Sequence, residues 1–166
     1  MMVEKEVSLR IYEEKYKRFF GEYSLEKEQL AFTAPPLDAL ASCLSEKERN
    51  PVVIFAGEEI AGFFVLHAYP GSAVYSDNKK CMLLRAYSIS SSHQGKGIAT
   101  KSMALLEPFV KVHFPDVNEI VLAVNAANKS AQHVYRKSGF ADTGKKAAGR
   151  SGIMFIWHKM LNEGDN

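Results

Sequence analysis

Residues 81–112 constrain this chain more than any other stretch. CMLLRAYSI at 81–89 is an apolar strand pattern, SSSHQGKG follows at 90–97, and a helical pattern runs at once from about residue 98 to residue 112. A strand that passes through a glycine-bearing loop straight into a helix needs a sheet with that helix packed back on it. The first turn of such a helix carries backbone N–H groups with no internal partner, and the helix dipole adds partial positive charge there. Glycines let a phosphate approach the backbone, and Lys96 adds a full charge. The turn is built to cradle a diphosphate.

The remaining patterns complete an α/β arrangement. Residues 7–11 read as a first strand, and 12–23 as a helix with Tyr12, Tyr16, Phe19, Phe20 and Tyr23 on one face. Ser24 is a candidate cap for a short helix, although Lys27 stands where a capping box wants Glu or Gln. Pro35 and Pro36 interrupt, and 37–44 can form a further helical turn. Residues 52–56 and 60–68 form a hairpin through the turn at 57–59, and 69–80 is a polar loop. Pro108 should kink or shorten the helix begun at residue 98. Residues 119–124 are a buried strand and 130–137 a short helix that Gly139 ends. Strands follow from Phe140 and over 153–160, and the polar end is expected to fray. This order predicts a single domain over 1–166 with a mixed antiparallel and parallel sheet flanked by helices.

Bulk properties narrow the function classes. The chain has 166 residues, 46% hydrophobic and 24% charged, enough for one core without staples. A net charge of +2 gives no general case for nucleic acid or membrane partners. The N-terminus has acidic residues and no long apolar run, so a cytoplasmic protein is expected. Cys43 and Cys81 form no CxxC and read as free, half-buried thiols, with no metal site implied.

Which phosphate carrier the turn holds depends on its pattern. A Walker A loop needs GxxxxGK[ST], which is absent, and a dinucleotide fingerprint needs Gly where Thr100 stands. Gln94-x-x-Gly97-x-Ala99 instead resembles the Q/R-x-x-G-x-G/A pyrophosphate loop of the GNAT superfamily of N-acetyltransferases. Residues 128–140, NKSAQHVYRKSGF, are similar to that family's N-x-x-A-x-x-x-Y-x-K-x-G-F segment. Both motifs fall in family order on strand-to-helix junctions, and the resemblance covers about residues 50–160.

The resemblance implies the GNAT fold, with the sheet splayed at the cofactor-binding strand, and acetyl-CoA as acyl donor. It implies that backbone groups of Tyr87, Ser88 and Ile89 pair with the pantetheine arm. Gln94, Gly95, Lys96, Gly97, Ile98, Ala99 and Thr100 would hold the phosphates, and Asn128 would hydrogen-bond the arm. Asn128 equally suits a plain helix cap. Tyr135 would protonate the leaving thiolate, a task a phenol suits, or would simply pack on the sheet.

The general base is less legible. Ala123 stands where the family sometimes has an acid, and alternation puts Arg85 and Tyr87 on one face of their strand. His67 and His93 are relay candidates, and Glu26, Glu28 or water are alternatives. The N-terminal helices and the 69–80 loop would line the acceptor site. Glu22, Glu26, Glu28 and Asp38 there favour a small-molecule amine or polyamine, with protein N-termini and lysines open. A homodimer is compatible with the family. Competing classes are a non-catalytic acyl-CoA-binding module and a nucleotide-binding protein, and thermal shifts with CoA against nucleotides separate them.

Overall fold

A computed structural model describes residues 5–161 of the chain. The expected frayed end at 162–166 lies outside the described residues. Seven strands form one sheet: β1 (Val7–Ile11), β2 (Arg49–Ala56), β3 (Glu59–Ala68), β4 (Cys81–Ile89), β5 (Glu119–Asn125), β6 (Ala141–Gly149) and β7 (Gly152–Met160). Their order is β1-β2-β3-β4-β5-β7-β6. Every neighbouring pair is antiparallel except β4 and β5, which are parallel. The helices are α1 (Lys27–Leu30), α2 (Pro36–Ser45), α3 (Ile98–His113) and α4 (Lys129–Lys137).

The sheet is covered on both faces. Phe64, Leu66, Met82, Leu84, Ile120, Leu122 and Trp157 pack on one face with Met103, Leu106, Phe109 and Val110 of α3 and Tyr135 of α4. Burying each such side chain of α3 stabilises the fold by about 1.5–3 kcal/mol. On the other face Val53, Phe55, Phe63 and Val65 meet Ala39 and Leu40 of α2, with Tyr16 and Phe20.

Several sequence expectations are corrected. Residues 12–23 do not form an α-helix: Glu14–Gly21 is a 3-10 helix. Aromatic residues lose side-chain freedom in an α-helix, and here rings seated on the sheet decide the conformation instead. Tyr16 stacks edge-on against Phe55 and Phe20 against Phe63, while Phe19 points to solvent. Ser24 caps nothing; the capping box is formed by Glu26 and Gln29 around the short α1. Gly71–Val74 of the 69–80 loop is a 3-10 turn. Helix α3 runs through Pro108 to His113, because packing of its apolar face outweighs one missing N–H. Cys81 is buried, not half-buried, whereas Cys43 is intermediate. Burial foremost pushes the Cys81 thiol up to about 12.

Two features position the site. First, β4 and β5 pair only through Cys81–Glu119, Met82–Ile120 and Leu83–Val121, and pairing ends there. β5 continues along β7 as far as Asn125 with Met154, so the parallel strands part like a wedge. Second, β4 carries a bulge: Arg85 pairs with Val65 but Ser88 pairs with Phe63. Ala86 and Tyr87 thus stand opposite Phe64 alone, and Ala86 has a left-handed φ of 56°. Arg85 and Tyr87 therefore do not share a face, contrary to simple alternation.

Candidate active site

The wedge between β4 and β5 opens into a cleft of about 710 Å³, a volume ordinary for small-molecule sites. Its floor comes from the part of β4 no longer paired with β5, where Tyr87, Ser88 and Ile89 line it, and from Ala123 to Asn125 of β5. The start of α3 and the face of α4 form one wall.

The cradle forms for local reasons. Gly95 and Gly97 both adopt left-handed conformations, with φ of 75° and 76°. Only glycine does so without strain, and a Cβ at either position would meet nothing within 4 Å. The loop backbone is thus open to a ligand at both positions. Gly97 precedes α3 and supplies no side-chain cap. The first-turn N–H groups of Ile98, Ala99 and Thr100 have no intrahelical partner, and all three residues line the cleft. Gln94 ties the cradle down: its Nε2 donates to the Ile89 carbonyl at 3.2 Å and to Gln29 Oε1. Lys96 is exposed and is not among the lining residues.

Tyr87, Ser88 and Ile89 are held from several sides. The Tyr87 hydroxyl bonds the Ala99 carbonyl at 3.3 Å and Ser102 Oγ. Ser88 Oγ lies 2.7 Å from the Tyr23 hydroxyl, which also donates to the Ser88 carbonyl at 3.0 Å. Burial foremost, opposed by the Ser88 contact, raises the Tyr23 pKa. The Ile89 carbonyl accepts from Gln29 Nε2 at 3.2 Å.

Asn128 caps α4, its Oδ1 accepting from the Ala131 N–H at 3.2 Å. That cap uses the oxygen, and the residue still lines the cleft. Tyr135, two turns further on, lines the cleft too. Its ring meets Tyr87 edge-on with centroids 6.2 Å apart and Phe140 at 5.9 Å. Burial raises its pKa above the ordinary phenol value, so the proton stays on oxygen at neutral pH. Gly139, with φ of 99°, ends α4 as expected, and the Phe140 N–H bonds the Tyr135 carbonyl at 3.0 Å.

Several lining residues carried no sequence signal. Arg150 and Ser151, at the tip of the β6–β7 hairpin, reach the carbonyls of Leu30 and Ala31 and bridge the cleft from above. Asn125 Nδ2 donates to the Ser151 carbonyl at 3.1 Å, while its Oδ1 accepts the Ala127 N–H at 2.8 Å. Gln132 Nε2 binds the Asn125 and Ala126 carbonyls at 3.0 and 3.1 Å. An asparagine ending a strand hinted at this turn, whereas contacts across 120 residues could not be read locally.

The acceptor-side expectations divide. Glu26 and Glu28 line the cleft, but Glu22, Asp38 and the 69–80 loop do not. His93 lines it, and burial foremost, with Lys96 and Lys5, lowers its pKa. His67 does not line the cleft but touches Arg85, which does. Ala123 lines it on β5 and offers no acid. Among the described residues no cluster could hold a metal ion, and no helix is long and apolar enough to cross a membrane.

Comparison with known proteins agrees with this geometry. The family model described as acetyltransferase (GNAT) family matches residues 9–140. The chain is 39% identical over 158 residues to an uncharacterized N-acetyltransferase, YbbJ, of Bacillus subtilis (strain 168), covering 95% of this chain and 99% of that one. Among solved structures it superposes on the aminoglycoside acetyltransferase AAC(6')-Ib in complex with ribostamycin and coenzyme A, with a TM-score of 0.74 and 19% identity over 93% of both chains. It superposes also on spermidine N-acetyltransferase from Vibrio cholerae in complex with CoA and spermine, with a TM-score of 0.65 and 16% identity over 93% of this chain and 95% of that one.

Proposed function

Because the chain belongs to the GNAT acetyltransferase family, we propose that it moves the acetyl group of acetyl-CoA to a small primary amine by direct attack, with Tyr135 as general acid. The observation that carries this reading is the cleft itself. A splayed β4 edge, two left-handed glycines and the free N–H groups of the first turn of α3 lie along one continuous opening, with Tyr135 beside them.

Residues fit the donor from end to end. The amides following Gly95 and Gly97 suit the diphosphate, and Lys96, exposed beyond the cleft, suits the outer nucleotide phosphates. Backbone groups of the 87–89 segment on the β4 edge that has parted from β5 suit the pantetheine amides. The amide of Asn128 remains a donor toward the same arm after its oxygen has capped α4.

The reaction follows from what these groups do. A backbone N–H on the splayed part of β4 polarises the thioester carbonyl. The neutral amine attacks its carbon, the carbon–sulfur bond breaks, and Tyr135 passes its proton to the departing sulfur. The amine proton leaves through water or a carboxylate at the rim, Glu26 or Glu28, since position 123 holds alanine. Holding both reactants in one geometry supplies most of the acceleration. The ribostamycin and spermine bound beside coenzyme A in the aminoglycoside and spermidine enzymes are likewise small amines.

The test is a thermal-shift series with CoA, acetyl-CoA, ATP and GTP, followed by thiol release with an amine panel. CoA species should raise the melting temperature by mass action while the nucleoside triphosphates do not. A shift with ATP or GTP alone would overturn the reading.

A further inference from the structure

Arg85 is a charged cleft residue to which acyl transfer gives no task. It precedes the bulge on β4, so its side chain lies on the face of Cys81 and Leu83, opposite α3 and α4. Its Nη1 donates to His67 Nδ1 at 3.3 Å. A guanidinium has no acceptor, so Nδ1 is the bare nitrogen and Nε2 carries the ring proton. That proton faces Glu46 Oε2, 3.2 Å away, and the Arg49 Nε bonds the same oxygen at 3.1 Å.

The relay is rigid. His67 is 4% exposed, and its ring lies so close over Gly71 that any Cβ there would clash with it. Burial foremost, with the charges of Arg49 and Arg85, lowers the His67 pKa and keeps the ring neutral. The guanidinium is thereby aimed by a neutral ring, and the Glu46 carboxylate, which acts on Arg85 through charge, is held in contact with His67 and Arg49 instead. Among the described residues Arg85 makes no ion pair, its side-chain hydrogen bond goes from Nη1 to His67, and the residue lines the cleft, so the other guanidinium N–H groups are not spent on a carboxylate of the protein.

The geometry points to Arg85 as the anchor for a carboxylate on the acceptor, so that the amine entering this cleft belongs to a small amino acid. The inference rests on the acyl-transfer reading. The phosphate cradle and α4 occupy one face of the sheet, and a donor lying in the wedge leaves the other face for the acceptor. Arg85, Ala86 and Ala123 line the cleft on that face. A planar fork matches a carboxylate bidentately. A phosphate would bring about −1.5 to −2 charges, too many for Arg85 in a cleft that also carries Glu26 and Glu28, since the other lining guanidinium, Arg150, is tied to the Leu30 carbonyl at the roof. The same fixed cation repels a polyamine lacking an acidic group.

The test pairs free L-amino acids with their carboxamides and decarboxylated amines as acceptors, read by CoA thiol release, in wild type, Arg85→Gln and Arg85→Lys. CoA thermal shifts are recorded for all three. Wild type should prefer an acid over its amide by about 10- to 100-fold in kcat/KM, the worth of a charge-assisted bond. Arg85→Gln should erase that preference through KM, Arg85→Lys should recover part of it, and the CoA shift should be the same in each. Amides or decarboxylated amines used as well as acids, a preference that survives Arg85→Gln, or an enzyme that binds CoA and acetylates no amino acid would each overturn the inference alone. No CoA shift in wild type would instead remove the acyl-transfer reading beneath it.

Discussion

Arg85 and Tyr87, two positions apart on β4, face opposite sides of the sheet because Ala86 between them adopts a left-handed φ of 56°. The bulge turns Arg85 toward His67 and Tyr87 toward Phe64 and Tyr135. A left-handed L-residue costs about 1–2 kcal/mol. Ala86→Gly should remove that strain while losing a partly buried methyl worth about 0.8 kcal/mol, leaving stability within about 1 kcal/mol of wild type. Ala86→Val, β-branched where φ is positive, should cost at least about 2 kcal/mol. Urea midpoints check both, and a valine variant as stable as wild type would place the bulge elsewhere.

Tyr135→Phe isolates the hydroxyl. The ring packs against Tyr87 and Phe140, and phenylalanine preserves both contacts. No hydrogen bond to the hydroxyl is found among the described residues, so stability should hold within about 0.5 kcal/mol. Loss of the acid should lower kcat by about 100- to 10,000-fold. Thiol release at saturating acetyl-CoA and amine reads it, and full turnover would strip Tyr135 of its assigned role.

Asn128 caps a helix and is proposed to hold the cofactor arm, and substitutions separate the two. Its oxygen caps α4, while its amide nitrogen is the proposed donor to the cofactor arm. Asn128→Asp keeps the cap and loses the donor, so melting temperature should hold while KM for acetyl-CoA rises. Asn128→Ala loses both and should also cost about 1 kcal/mol of stability. Equal acetyl-CoA KM in asparagine and aspartate forms would reduce Asn128 to a cap.

The cradle was legible because its glycines are obligatory: Gly95 and Gly97 hold positive φ, and the helical pattern starts at Ile98. Strand identities followed from apolar runs such as 119–124. The bulge was not legible, since Ala86 looks like any strand residue and alternation then puts Arg85 and Tyr87 on one side. Nor was the 3-10 segment Glu14–Gly21, whose conformation is set by Phe55 and Phe63 on distant strands. The roof made by Arg150 and Ser151 depends on two carbonyls 120 residues away, and no local pattern encodes such a meeting.

Gly97→Ala tests the cradle directly. Nothing crowds a Cβ there, so the cost is conformational, about 1–2 kcal/mol for φ of 76°. The strained loop should turn its amides away from the diphosphate, raising KM for acetyl-CoA at least about 10-fold, the equivalent of about 1.4 kcal/mol. Calorimetric titration with CoA measures this independently of any acceptor, and unchanged affinity would put the phosphates elsewhere.

Acid sensitivity should come from the far end of β5. Glu119 is 8% exposed and bonds His158 Nδ1 at 2.7 Å, Ser76 at 2.9 Å and Asn78 at 3.2 Å. Burial alone would raise its pKa, but the bonds from His158, Ser76, Asn78 and Cys81 together outweigh burial and hold it below 4.5. The native carboxylate thus takes up a proton less readily than the unfolded one. Its contribution is complete above 4.5 and is lost as pH falls through the lower native value. Glu119→Gln, which cannot accept all these bonds, should be less stable at pH 7 by about 1–3 kcal/mol. It should also lose less than wild type between pH 5 and about 3. Urea unfolding across that range reads the slope, and parallel curves for the two proteins would show that Glu119 titrates alike in both states.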